Sequence, residues 1–299
     1  MTPDQRSGQS TDGRPGWRAE LSLRFSDDGA GGTRLERAHS GPLVVQRPFY
    51  PEGRALPHVY LLHPPGGLVG GDQLHVDVAV AAGAHALVTT PAATKVYRTR
   101  GPTAEQTQRL TVAAGGALEW LPQAMILHDG SASALSTEVR LDAGARFIGV
   151  DTLCFGLPAR GETFAVGRCR QRFELWRQNE SQPHARPLVI ERACFDATDA
   201  VHAAPWGLDR ARVHALFVAS PAPDQATLAT LLPLLRAAAE RVAAPERAGV
   251  TVVADGEALI GRYLGASTER AQRFVQELWT LLRPPLMRRP ALPPRIWAT

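Results

Sequence analysis

The sequence predicts a mainly β protein: a β-helical body of stacked β-hairpins, with two α-helices in a small C-terminal αβ portion. Leu74, Val76, Val78 and Val80 alternate with Gln73, His75, Asp77 and Ala79, the period of a strand with one buried face. The segments VDVAVAAGAHALVTT (76–90), RLTVAAGGALEWL (109–121) and EVRLDAGARFIGV (138–150) share one layout, a strand, an Ala-Gly turn and a second strand. Near the C-terminus the period lengthens to that of amphipathic helices.

The elements follow in order. Residues 1–16 are polar and rich in Gly, Ser and Asp, as in a disordered tail. Residues 17–205 read as the β-rich body, with strand and turn alternating from Leu21 to about Arg177. The three similar segments recur at about 30 residues, a spacing at which repeats stack into a continuous core. Unrelated hairpins in an antiparallel sandwich would give the same local pattern. Glycine suits each turn because it takes positive φ without a steric penalty.

Residues 206–299 form the αβ portion, packed on the body as one integrated domain. Here 213–219 reads as a strand, and a helix runs from Asp224 to Val242, with Asp224 as N-cap. Residues 250–255 and 258–264 read as a hairpin. A last helix spans Ser267 to Leu282, with Phe274, Val275, Leu278 and Leu281 on one face, and Arg283-Pro284-Pro285 ends it.

Composition narrows the function classes. The net charge is +4 and no run of five basic residues occurs, so a nucleic-acid stripe is not indicated; an acidic protein surface matches better. Arginine supplies nearly all the positive charge, because Lys95 is the one lysine. Cys154, Cys169 and Cys194 form no CxxC, and their odd number argues against a secreted disulfide framework. No N-terminal signal pattern and no long apolar run occurs, which predicts a cytoplasmic protein without membrane contact.

The least ordinary stretch is HPPGGLVGGD (63–72). It lacks the Lys-Ser or Lys-Thr of a phosphate loop, and a strand rather than a helix follows the glycines. Asp72 could present a carboxylate into the space the glycines leave, or cap backbone N–H groups in a wide turn. His63, His75, His85, His128, Asp72, Glu119, Asp129 and Glu162 are available ligand types, yet no dedicated metal motif joins them. A loose string of oxygen and imidazole ligands that hands an ion along is compatible with these residues. No nucleophile elbow is present, and Cys154 between Leu153 and Phe155 reads as a packed thiol. No catalytic residue is assigned.

Five stretches in order, HPPGGLVGGD (63–72), TTPAATKVYR (89–98), LEWLPQAMI (118–126), GLPARGETF (156–164) and LPPRIW (292–297), resemble the urease accessory proteins of the UreD (UreH) family. The motif carriers include Gly66, Gly67, Gly70, Gly71, Lys95, Tyr97, Arg98, Trp120 and Pro122. Leu157 stands where the family usually has arginine, and Val96 where an aromatic is expected. The resemblance implies a non-enzymatic scaffold, a metallochaperone that supports Ni²⁺ insertion into the urease apoenzyme together with UreF and UreG. It also implies a β-helical fold with two helices, and it leaves room for a homodimer within the accessory complex. No tightly bound cofactor is expected, only transient Ni²⁺. Asp72, Glu119 and Glu162, with His63, are the candidate lining of a nickel passage. A β-helical carbohydrate-active enzyme is the alternative, and it would need clustered carboxylates and a groove with aromatics.

Overall fold

The computed structural model describes residues 16–178 and 185–298. The tail expected at 1–16 therefore lies, except for Gly16, outside the described residues. Seven strands form the first sheet. Five run parallel in the order β1 (Arg18–Asp27), β5 (Gln73–Val80), β8 (Ala104–Val112), β11 (Ser131–Leu141) and β13 (Gly167–Arg177). Antiparallel β2 (Thr33–Ser40) and β14 (Arg186–Asp196) close its two edges.

The second sheet stacks β4 (His58–Leu62), β6 (His85–Thr89), β9 (Ala117–Leu121) and β12 (Arg146–Phe155) in parallel. Beyond β12 it continues antiparallel through β15 (Val213–Ser220), β17 (Ala258–Gly265) and β16 (Arg247–Val253), and β3 (Val44–Val45) pairs with β4 at the far edge. A short third face joins β7 (Thr94–Val96), β10 (Met125–Leu127) and the end of β12. The chain thus winds as a solenoid, and each coil lays one strand on each face.

The repeats are the coils. Their Ala-Gly turns are corners: β5 and β6 belong to different sheets, as do β8 and β9, and β11 and β12. Each strand pairs instead with its equivalent one coil away, in the register Val80–Val112–Leu141. Gly83, Gly115 and Gly144 sit at the three corners with φ of 76°, 74° and 78°. The corners stack directly, because a Cβ on Gly144 would lie 3.9 Å from the Gly115 nitrogen. Alternation alone cannot separate a corner from a hairpin, since both reverse a half-buried strand.

Two inward rungs are apolar, Leu23–Val78–Leu110–Val139–Leu175 and Phe25–Val80–Val112–Leu141. The next two carry polar residues, Leu21–Val76–Gln108–Thr137–Phe173 and Ala19–Leu74–Gln106–Leu135–Gln171. This change from aliphatic to amide and hydroxyl side chains decides where the interior stays open.

The helices are α1 (Gln225–Ala243) and α2 (Thr268–Met287). Asp224 caps α1 by accepting from Thr227 N–H, and Ser267 caps α2 by accepting from Arg270 N–H, as expected for such N-cap residues. Both pack on the outer face of the second sheet, so β9 is buried on both sides: Leu118 and Trp120 face the coil interior, Ala117 and Leu121 the helices. Contrary to the expected stop at 283, α2 runs through Pro284 and Pro285 to Met287. Burial of Arg283, Leu286 and Met287 holds that last turn in place despite the amide hydrogens the prolines lack. No helix among the described residues is long and apolar enough to cross a membrane.

Candidate functional site

Three of the five motif stretches meet around one cavity of about 540 Å³. His63, Pro64, Gly66 and Gly67 supply one wall, Thr90 to Lys95 a second, and Trp120, Pro122, Gln123 and Met125 a third. The glycines make this junction possible. Leu68 N–H donates to Lys95 O at 2.7 Å and Tyr97 N–H to Leu68 O at 2.8 Å, laying the loop along β7. A Cβ on Gly67 would strike Lys95 O and the Tyr97 ring, and one on Gly70 would strike Thr99 Oγ1. Tyr97 stacks on His128 with ring centroids 5.2 Å apart, and Arg98 pairs with Asp129 at 3.1 Å, which fixes the outer side of the junction.

The floor is the polar part of the solenoid interior. Thr137 Oγ1 donates to Gln108 Oε1 at 2.8 Å, and Gln171 Nε2 donates to Asp151 Oδ2 at 2.9 Å. Burial raises the Asp151 carboxyl above its ordinary value, against the opposing effect of the Gln171 hydrogen bond. Gln106, Gln108, Ser136, Thr137, Asp151 and Thr152 line the space, and Asp151 is the one carboxyl among the described residues lining it. The Lys95 side chain makes no ion pair with a described residue. His63 lines the same space with both ring nitrogens buried and unpartnered among the described residues. Desolvation holds its imidazole below the usual value, partly offset by the charge of Asp72.

The other expected ligands lie elsewhere. Asp72 is 4% exposed, and both its oxygens are engaged: Oδ1 accepts from Trp17 N–H and Oδ2 from Val69 N–H, each at 2.9 Å. It fastens β1 and the glycine loop to the start of β5, which is the capping arrangement. Glu119 points away from the cavity toward α2. It accepts from His85 Nε2 at 2.9 Å, Trp279 Nε1 at 2.6 Å and Arg283 Nε at 2.9 Å. Glu162 is on the surface, with half its side chain exposed. None of the three lines this cavity. The reason is local: backbone N–H groups claim Asp72, a buried arginine claims Glu119, and a surface turn carries Glu162.

No cluster of three or more His, Cys, Asp or Glu able to hold a metal occurs among the described residues. Burial pushes the Cys154 and Cys169 thiols up to about 11 and about 12, so both are inert packed groups. Sequence reasoning missed Asp151, Gln108, Thr137 and Gln171. Their signal was present: amides and a hydroxyl stand at inward positions of strands that also carry inward apolar residues.

The UreD urease accessory protein family matches residues 18–298. This chain belongs to that family. Among its relatives, the urease accessory protein UreD of Alkalilimnicola ehrlichii is 44% identical over 285 residues, covering 95% of this chain and 92% of the relative. Those of Dechloromonas aromatica and Pseudomonas putida are 43% and 42% identical, with 95% of this chain covered in each case and 96% and 95% of the relatives. Family membership spans the solenoid, the cavity and the helix layer alike. The departures at Leu157 and Val96 leave it intact: Val96 is fully buried in β7, where an aliphatic side chain packs well.

Proposed function

We propose that this chain is a non-enzymatic assembly factor that supports Ni²⁺ insertion into urease in the cytoplasm, in complex with UreF and UreG, and that the cavity lies on the nickel route. The observation that carries this reading is the convergence of three family motifs on one space floored by amide, hydroxyl and carboxyl oxygens. Hydrated Ni²⁺ accepts oxygen and imidazole ligands. Neutral oxygens and a single carboxyl bind it weakly, which suits cargo that has to leave as readily as it arrives. His63 and Asp151, rather than Asp72, Glu119 and Glu162, are the ligands this route would use.

The carbohydrate-active alternative needs two carboxyl groups flanking a scissile bond. Asp151 stands alone on the lining, which favours the carrier reading. The test is co-expression of the urease subunits and partner accessory proteins with and without this chain, followed by nickel analysis of purified urease. Nickel-poor, inactive urease in its absence, and co-purification of the chain with UreF and UreG when present, are expected. Fully loaded urease without the chain would falsify the reading.

A further inference from the structure

Many guanidinium groups among the described residues are paired with carboxylates. On the outer face of the first sheet Arg172 pairs with Glu138, Arg192 with Glu174 and Arg168 with Asp196. The C-terminal end of α2 is different. Arg146, at the start of β12, donates from Nη1 to Met287 O at 3.2 Å, beside Arg288 and Arg289. None of the three makes an ion pair with a described carboxylate. Glu119, whose charge reaches Arg146, already serves Arg283, His85 and Trp279.

Like charges therefore crowd here. Burial, and then the charges of Arg288 and Arg289, push the Arg146 guanidinium below its ordinary value. A second observation is conformational. Arg288 ends α2 in the left-handed region, at φ 57° and ψ 37°, with its N–H donating to Pro284 O at 3.1 Å. Glycine is the usual residue for that position, so Arg288 holds its side chain in a backbone conformation that glycine adopts more readily. The strap that follows leaves Leu292 exposed and lays Trp297 edge-on against Trp279.

We propose that Arg146, Arg288 and Arg289 form an acceptor site for an acidic segment of a protein partner, whose carboxylates supply the missing counter-charge. Oxyanions are the chemistry that three unpaired guanidinium groups select, and bidentate carboxylate pairing is the strongest form of it. The exposed leucine on the adjoining strap favours a peptide segment over a bare phosphate, because it offers apolar contact beside the charge. This site lies on the helix side of the second sheet and does not depend on the cavity carrying nickel.

The test uses the purified full chain at low salt, a fluorescein-labelled hexaglutamate peptide, and inorganic pyrophosphate as competitor and control. Saturable peptide binding is expected, weakened about tenfold in Arg288→Gly and in Arg289→Gln. Arg288→Gly is informative because glycine suits the left-handed cap: its melting temperature should stay level or rise while binding falls. Absence of saturable peptide binding, or an affinity in both variants unchanged from the parent chain, overturns the proposal. So does pyrophosphate binding that the peptide does not compete with, or a binding loss confined to variants that melt earlier.

Discussion

Glu119 shows how far a single residue can travel from its apparent role. Its sequence neighbours Leu118 and Trp120 face the coil interior, yet its own carboxylate is buried against α2 with Arg283, which is itself held by Glu52 and by Pro290 O. Burial alone would raise its pKa; the hydrogen bonds and charges of His85 and Arg283 overcome that and hold it at about 2. A depressed carboxylate adds stability above its unfolded value of 4.5, and that contribution is lost as pH falls from there toward 2. The linked loss is on the order of 3 kcal/mol. Urea melts between pH 6 and pH 3 should show the decline in the parent and a much smaller one in Glu119→Gln. Arg283→Met leaves Glu119 and Glu52 buried without their cation and should cost about 3–5 kcal/mol, read from the same melts. Asp72→Ala should cost about 1–3 kcal/mol by unpairing the Trp17 and Val69 N–H groups. Any effect of Asp72→Ala on urease nickel content should then follow the amount of folded chain. Neither outcome was legible in the sequence, because Arg283 stands 164 positions from Glu119 and Trp17 stands 55 from Asp72.

At the level of elements, local chemistry was more readable. The alternation at 73–80 gives β5, the caps Asp224 and Ser267 open the two helices, and residues 250–255 and 258–264 form the β16–β17 hairpin. All of these depend on side-chain period or on one side chain reaching its own backbone. The end of α2 does not: packing of its last turn against the sheet overrides the two prolines. The corner glycines are equally local in cause. Gly115→Ala places a Cβ on a residue at φ 74° within the stacked corners and should destabilise by about 1 kcal/mol, with the urea midpoint lowered and the m-value unchanged.

For the whole molecule, the 30-residue repeat identified stacking, while the path of each corner emerged only from pairing between coils. The same three-dimensional register explains why the cavity was hidden. Gln106 and Gln108 lie on one coil, Leu135 and Thr137 on the next, and Asp151 on the opposite sheet, so no sequence spacing joins them. Of the five stretches that carry the family resemblance, the fold brings three to one place. The nickel route through that place is the central claim. Its most direct measurement is the nickel content of urease purified from cells expressing Met125→Trp, a substitution that fills the cavity from β10. The variant must be folded by circular dichroism and must still co-purify with its partners. The account predicts nickel-depleted urease; full loading with the cavity filled would contradict it.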